Sequence, residues 1–301
     1  MKISNLIKTA MVVVVVEAAL CMVAAGNAQA EQCQLVTIIN SHATTVKQFE
    51  SRKLFESAQF SQLESTLEKR YRESLNSDGG DFLMLHDMNN MVQGNTDTDT
   101  DKLINMWINQ YPQSFFAQLS AGIFYINQAA TARGVQFISE TSEKQLTKMN
   151  EINSKAIDYV QKAMQLNPRS ALPHSLMIDI AGVEGQAVGK NVEEWLKIAN
   201  QVDPKNLSAR TQAINYLSPR WGGSFELLDQ MVQQSKKLLS PQSVRYLEFS
   251  VIMGKANHEE IITQDNTKAY KLYKQAKGIC ENSESAQKGI LRTSQPEDDD
   301  N

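Results

Sequence analysis

Apolar side chains recur every three or four positions along most of the chain after residue 45. In the segment FSQLESTLEKRYRESL the repeated positions are Phe60, Leu63, Leu67 and Tyr71. The segment KQLTKMNEINSKAIDYVQKAMQLNP, which begins at residue 144, has the same spacing. This spacing places the apolar side chains on one face of an α-helix, whereas the alternation typical of a β-strand is almost absent. The pattern therefore predicts an all-α protein.

The segment FFAQLSAGIFYINQAATARG is apolar on nearly every side, which predicts a central, buried helix. Gly134 suits the left-handed conformation of a helix C-cap, and Arg133 falls in the last turn, where its charge complements the helix dipole. Five aromatic residues cluster around this segment: Trp107, Phe115, Phe116, Phe124 and Tyr125. We expect most of them to be core residues, and the alternative is that some line a binding groove as anchors.

A recurring tripeptide, Pro-x-Ser or Pro-x-Asn, separates the helical segments at Pro112, Pro168, Pro204 and Pro241. Proline ends the preceding helix, and the Ser or Asn two residues later can cap the next one. The last three of these prolines are spaced by 36 and 37 residues, a period typical of a repeated helix–turn–helix unit. The repeat predicts an α-solenoid, in which each helix pair covers the apolar face of the next.

Two segments resemble the second helix of a tetratricopeptide repeat. They are AIDYVQKAMQLNP, ending at Pro168, and VEEWLKIANQVDP, ending at Pro204. Near the C-terminal end, KAYKLYKQAKG resembles half of a Sel1-type repeat through Ala269, Tyr273, Ala276 and Gly278. The resemblance implies a right-handed superhelix of tetratricopeptide-like helix pairs.

A closer resemblance extends over roughly residues 50 to 280. The segments LFESAQFSQLESTL, WINQYPQSFFAQLSAGIFYINQAATARG and SPRWGGSFELL follow one another in that order. They resemble the bacterial family called domain of unknown function 4034. The family implies a helical fold and supplies no chemistry, so its name assigns neither a substrate nor a partner.

The first thirty residues resemble a secretory signal peptide. Lys2 and Lys8 precede a short apolar core, and Ala28 and Ala30 are the small residues that signal peptidase requires. Cleavage after Ala30 would make the protein periplasmic or secreted. Cys21 raises the alternative of a lipoprotein, although a large residue precedes it. The apolar run is shorter than the ~20 residues that a membrane span needs, so we expect no stable span after cleavage.

The charge of the mature chain disfavours two classes of partner. Without residues 1–30, 28 basic residues would remain against 33 acidic ones, which gives a net charge of −5. Nucleic acids and anionic membrane surfaces both reward clustered cations. We therefore expect a protein or peptide partner rather than either of these.

Two cysteines would remain after cleavage, Cys33 and Cys280. In an oxidising compartment they can form a disulfide that joins the two ends of the chain, and the alternative is a pair of free thiols. The domain organisation that we predict has four parts. They are a signal peptide (1–30), an extended N-terminal arm (31–45), a helical repeat domain (46–280) and a disordered acidic tail (281–301).

The loop SPRWGGSF admits two interpretations. As a ligand site, Gly222 and Gly223 would expose backbone N–H groups, and Arg220 with the start of the next helix at Ser224 would hold an anion. As a connector, the glycines permit a tight turn, Ser224 caps a helix and Trp221 fills a gap between repeats. We favour the connector.

No metal or cofactor site is expected. Asp97, Asp99 and Asp101 have the first ligand spacings of an EF-hand, but the glycine and the closing glutamate of that motif are missing. We expect a solvated loop there, with its last acidic residue at a helix N-terminus. The four histidines are scattered without the spacing of a zinc site.

The sequence thus favours an exported, non-catalytic protein-interaction module, that is, a scaffold or adaptor that holds its partner on the concave face. Two alternatives stay open. One is an envelope hydrolase in which the superhelix brings together Arg220, Ser224 and His174. The other is a secreted effector or an immunity-type partner of a toxin. The first interpretation rests on architecture alone.

Overall fold

A computed structural model describes residues 42–93, 97–134, 140–184 and 189–294. These residues form thirteen α-helices and contain no β-strand. The prediction of an all-α fold is confirmed. The helices are α1 (His42–Glu56), α2 (Phe60–Ser74), α3 (Gly80–Val92), α4 (Asp97–Gln110), α5 (Phe115–Arg133), α6 (Glu143–Leu166), α7 (Leu172–Glu184), α8 (Val192–Val202), α9 (Ser208–Tyr216), α10 (Phe225–Ser235), α11 (Pro241–His258), α12 (Asn266–Ile279) and α13 (Glu284–Thr293). A 3₁₀ turn (Pro219–Trp221) precedes α10, and a π-helical turn (Glu259–Thr263) follows α11.

Helices α5 to α12 form four consecutive pairs, and each pair packs against the next. The first helices of the pairs, α5, α7, α9 and α11, contact one another in series. The second helices α6 and α8 contact the first helix of the following pair. This arrangement is solenoid-like, as the period of the prolines predicts. We call the surface formed by α5, α7, α9 and α11 the first-helix face.

The helix α5 is buried through most of its length and has the ends that the sequence predicts. The Ser114 side chain accepts a hydrogen bond from the Ala117 N–H at 2.9 Å, and Gly134 ends the helix with φ = 79°. A β-carbon at Gly122 would lie 2.6 Å from a Val160 methyl group of α6. Glycine at this position therefore allows the two helices of the pair to approach closely.

Two of the predicted caps are wrong. Asn206 does not cap α9, because its side-chain amide donates to carbonyl groups at the end of α8. At α11 the cap is Ser240, whose hydroxyl accepts from the Ser243 N–H at 3.1 Å, and Pro241 occupies the first helical position. Proline suits that position because its missing N–H would have no partner within the helix.

Helix α3 folds back onto the first-helix face. It packs against α5 and α9, and its Phe82 ring lies 5.1 Å from the Tyr246 ring of α11. The carboxylate of Asp81 accepts hydrogen bonds from the Leu207 and Ser208 N–H groups at 2.9 and 2.8 Å, and so caps α9. Part of the concave surface expected for a partner is therefore covered by the chain's own helix.

Both predicted boundaries of the repeat domain differ from the structure. Helix α1 begins at His42, inside the predicted extended arm, and residues 284–293 of the predicted tail form α13. Helix α13 packs on α12 through small side chains, since Ala286 is buried and a β-carbon at Gly289 would touch the Tyr273 ring. Large apolar residues are few in this segment, which is why its composition indicated a tail. Residues 295–301 lie outside the described part of the chain.

The N-terminal predictions concern residues that the structure does not describe. The signal peptide, its cleavage residues Ala28 and Ala30, and both Cys21 and Cys33 lie outside the described ranges. Cys280 is buried and disulfide-bonded, and its partner lies outside those ranges as well. Within the described ranges, no helix combines the length and the apolarity needed to cross a membrane.

Candidate functional site

A groove of about 600 Å³ lies on the first-helix face where α3 leaves it uncovered. Its walls are α9, α11, the SPRWGGSF loop and the π-helical turn that follows α11. Two of the predicted loop residues, Arg220 and Trp221, line it. The groove is therefore the place where the candidate loop meets the concave surface.

The two glycines and Ser224 fix the shape of the loop. Gly222 has φ = 87°, in the left-handed region, and a β-carbon at Gly223 would overlap the backbone carbonyl of Leu217. The Ser224 side chain accepts a hydrogen bond from the Leu227 N–H at 3.2 Å and caps α10. These three residues shape the turn that connects α9 to α10. The connector presents Arg220 and Trp221 to the groove.

Arg133 and Trp221, which the sequence marks separately, lie against each other. The Arg133 guanidinium carbon is 5.5 Å from the centroid of the Trp221 ring. Trp221 also meets the Tyr216 ring edge to face, with centroids 5.4 Å apart. The end of α5 and the loop before α10 are thus joined by one stack of side chains at the edge of the groove.

Asp179 and Tyr216 form a polar pair beneath this stack, and sequence reasoning missed both. The Asp179 carboxylate accepts a hydrogen bond from the Gln212 amide at 2.8 Å and another from the Tyr216 hydroxyl. The side chain keeps some accessible surface, but protein atoms crowd its carboxylate, and this burial raises its pKa to about 7. Burial, together with the neighbouring Asp179, also raises the pKa of Tyr216. The sequence contained one signal for this pair, because Asp179 is a single acidic residue within the apolar segment MIDIA.

The π-helical turn holds two isoleucines at the opposite wall. Glu260 accepts two hydrogen bonds from Arg292 at 2.7 and 2.8 Å, and Glu259 accepts one from Lys268 at 3.0 Å. The next two residues, Ile261 and Ile262, are 60% and 42% exposed and line the groove. Turns of this type occur frequently at functional sites. The turn ends at Gln264, a non-glycine residue with φ = 58°.

The polar side chains of the groove are largely satisfied within the chain. The hydroxyls of Thr211, Ser218 and Ser250 donate to the backbone carbonyl groups of Leu207, Asn215 and Tyr246 at 2.8 to 2.9 Å. The Asn257 side chain accepts a hydrogen bond from the Tyr273 hydroxyl at 2.6 Å. The surface that remains for a ligand is therefore mainly apolar and aromatic. Among the side chains that line the groove are the cation Arg220 and the imidazole of His258, and none is a carboxylate.

The structure does not gather the residues of the hydrolase alternative at this groove. The Ser224 hydroxyl is used as a helix cap, and Ser224 does not line the groove. His174 is buried in α7, with its Nδ1 3.2 Å from the Ser170 carbonyl oxygen and its ring 6.2 Å from that of Trp195. It does not line the groove either.

The predicted acidic loop at Asp97 is helical, because α4 begins at that residue. Asp101 accepts a hydrogen bond from the Tyr125 hydroxyl at 2.5 Å. Over the described ranges, no group of three or more His, Cys, Asp and Glu residues is arranged to hold a metal ion. The side chain of Asp97 is outside those ranges.

Most of the aromatic cluster belongs to the core, as expected. Trp107 is fully buried, stacks on Phe60 at 5.8 Å and donates to the Glu64 carboxylate at 2.7 Å. Phe115, Phe116 and Phe124 are buried too, and Tyr125 is half-buried. None of these residues lines the groove on the first-helix face.

Comparison with protein families gives a match over most of the helical region. The family model described as "Domain of unknown function (DUF4034)" matches residues 47–188 and 184–238. These ranges include α2 to α10 and the loop that carries Trp221. No curated protein matches the chain.

Proposed function

The chain belongs to the family described as domain of unknown function 4034, and we propose that it is a non-catalytic protein-interaction module that holds a segment of a partner protein in the groove. One observation carries this proposal. Of nine large apolar side chains that are exposed in the described residues, three lie at this groove: Trp221, Ile261 and Ile262. Single exposed apolar residues are ordinary, whereas a converging set is typical of a binding surface.

The satisfied polar groups support a binding role over a catalytic one. A catalytic groove needs a nucleophile or base whose polar atoms are directed at the substrate. Here the hydroxyls of Thr211, Ser218 and Ser250 already donate to nearby backbone carbonyl groups. The aromatic rings and the isoleucines, by contrast, offer rigid apolar area, which supplies much of the binding energy at protein interfaces.

Export of the protein is part of the same proposal. The N-terminal sequence has the charge, apolar core and small residues of a signal peptide. The disulfide at Cys280 supports an oxidising compartment, because such bonds rarely persist in the cytosol. Ala28 and Ala30 are the expected recognition residues, and cleavage after Ala30 would make Glu31 the mature N-terminus. Mass spectrometry of the native protein measures this N-terminus directly. An N-terminus at Met1, or a lipid on Cys21, would contradict plain export.

Site-specific photo-cross-linking in the native cells tests the binding role. A photoreactive amino acid at Ile262 lies in the groove, and the control position is Leu291, which is 65% exposed on α13 and does not line the groove. We expect a discrete protein adduct from Ile262, weakened by Trp221→Ala and absent from Leu291. Adducts that are equal at the two positions, or absent from both, would contradict a partner in the groove.

A further inference from the structure

The π-helical turn that carries Ile261 and Ile262 has an alternative register. It follows α11 directly, and the N–H of Gln264 donates to the carbonyl of Glu259, five residues earlier. An α-helical turn would pair residues four apart instead, and would rotate the side chains within it about the helix axis. Both isoleucines would then leave their present positions in the groove. Because π-helical turns are rare, this wall depends on the contacts that hold the turn in its register.

A network of side chains joins the turn to the two helices that follow it. Glu260 of the turn accepts two hydrogen bonds from Arg292 of α13 at 2.7 and 2.8 Å. The Tyr273 hydroxyl oxygen of α12 lies 2.5 Å from the Glu260 carboxylate and 2.6 Å from Oδ1 of Asn257, which lines the groove. We call these four residues the Tyr273 network. It connects the groove to the last described helix of the chain.

Helix α13 packs mainly on α12, and its buried residues are small. They are Ala286, Gly289 and Thr293. The free energy gained by burial grows with the apolar area removed from water, so this helix can detach at lower cost than the large buried helices of the core. Detachment would take the Arg292 guanidinium away from Glu260. It would therefore disconnect the Tyr273 network from α13.

We propose, on the basis of the proposed function, that α13 regulates the groove. With α13 docked, Arg292 holds Glu260, and the π register keeps the two isoleucines in the wall. With α13 detached, the turn relaxes towards the α register and the groove loses that wall. Binding and docking are then coupled in both directions, so a partner that contacts the isoleucines also stabilises the docked helix.

Hydrogen exchange of the protein purified from its native cells, read by mass spectrometry, tests the coupling without any partner. Arg292→Gln removes the charged contact, and Lys288→Gln is the matched control, because the partner of Lys288 is Glu284 within α13 itself. We expect the segment 259–265 to exchange about fivefold faster in Arg292→Gln, the size of one partly exposed charged contact. Lys288→Gln should exchange at the parent rate. Equal rates in Arg292→Gln and the parent would overturn the inference.

A steric substitution detaches α13 by an independent route. Gly289→Ala places a β-carbon 2.5 Å from the Tyr273 ring, and the matched control is Gly278→Ala on α12, where a β-carbon meets open space. We expect Gly289→Ala to accelerate exchange both in α13 and in the segment 259–265, and Gly278→Ala to accelerate neither. Faster exchange in α13 alone would contradict the coupling, because the helix would then detach without any effect on the turn. Circular dichroism checks that the variants keep the helix content of the parent protein.

Photo-cross-linking from Ile262 tests the consequence for binding. The adduct should weaken about fivefold in Arg292→Gln and persist in Lys288→Gln, since a weakened wall lowers the affinity for the partner. An undiminished adduct from a variant whose turn exchanges faster would show that α13 does not regulate the groove. The absence of an adduct from the parent protein would contradict the binding role itself, and the exchange rates would still decide whether α13 controls the turn.

Discussion

The guanidinium of Arg133 lies over the ring of Trp221 at 5.5 Å, although 88 residues separate the two along the chain. Arg133 is the last residue of α5, and Trp221 belongs to the connector that forms one wall of the groove. The contact ties the first helix pair to the loop that joins the two helices of the third pair. It explains how the Ala-Arg-Gly and Pro-Arg-Trp-Gly-Gly-Ser segments, far apart in sequence, contribute to one local structure.

We predict that Arg133 and Trp221 are energetically coupled. Arg133→Ala and Trp221→Ala are each expected to destabilise the protein, and the double variant should lose less than the sum, by ~0.5–1 kcal/mol. Urea unfolding of the four proteins measures this coupling energy. Additive losses would mean that the stacking seen between the two side chains contributes nothing to stability.

The glycines of the connector give a matched set of substitutions. Gly223→Ala introduces a β-carbon that overlaps the Leu217 carbonyl, so we expect a loss of about 1–3 kcal/mol. Gly222→Ala meets open space but has φ = 87°, which costs about 1–2 kcal/mol. Gly254→Ala, inside α11 with open space around it, should instead stabilise by about 0.5–1 kcal/mol. If Gly223→Ala matched the parent in urea unfolding, the tight connector described here would be wrong.

The sequence predicts those features that depend on neighbours in the chain. The apolar stripe of α6, the cap at Ser114 and the end of α5 at Gly134 all depend on residues within a turn or two, so the local pattern contains them. The cap of α9 is different, because Asp81 supplies it from 126 residues away. No local signal distinguishes Asp81 from any other acidic residue at a helix start.

The groove was predictable only in part, for the same reason. The loop could be recognised by its composition, and its glycines and cap follow from backbone geometry. The convergence of Trp221 with Ile261 and Ile262 needs the stacking of the third helix pair on the fourth, which no local pattern specifies. Helix α13 was missed because Ala286 and Gly289 contribute to packing through their small size rather than through hydrophobicity.

Replacement of the long-range cap tests how α3 is held on the first-helix face. Asp81→Ala leaves the N–H groups of Leu207 and Ser208 without their acceptor, and we expect a loss of about 1–3 kcal/mol. Asp81→Asn keeps one carbonyl acceptor and should lose less. Amide hydrogen exchange at Leu207 and Ser208 should accelerate in Asp81→Ala. Unchanged exchange at both amides would show that Asp81 does not cap α9 in solution.

The raised pKa of Asp179 predicts a pH dependence of stability. Burial raises its pKa from the ordinary value near 3.8 to about 7 in the folded protein, so the folded state binds the proton more tightly than the unfolded state. The stability from this group is complete below about pH 4, falls as the pH rises towards 7, and is lost above that value.

Between pH 4 and 7, the free energy of unfolding of Asp179→Asn should therefore fall less than that of the parent protein. Above pH 7 the variant should gain stability relative to the parent, because no buried charge forms. The control is Asp158→Asn, an exposed carboxylate on α6. Denaturant titrations across the pH range compare the three proteins. Parallel curves for the parent and Asp179→Asn would contradict the raised pKa.

The disulfide at Cys280 connects the C-terminal helices to a part of the chain outside the described residues. The sequence contains two other cysteines, Cys21 and Cys33, and cleavage after Ala30 would remove the first. Cys33 is then the partner that we predict.

Cys280→Ser and Cys33→Ser should each lower stability by about 2–4 kcal/mol, since a long loop is no longer closed in the unfolded chain. The double variant should lose no more than either single one, because the two changes break the same bond. Cys21→Ser should leave the stability of the exported protein unchanged. Equal losses from Cys21→Ser and Cys280→Ser would instead make Cys21 the partner, and would contradict both the Cys33 bond and cleavage after Ala30.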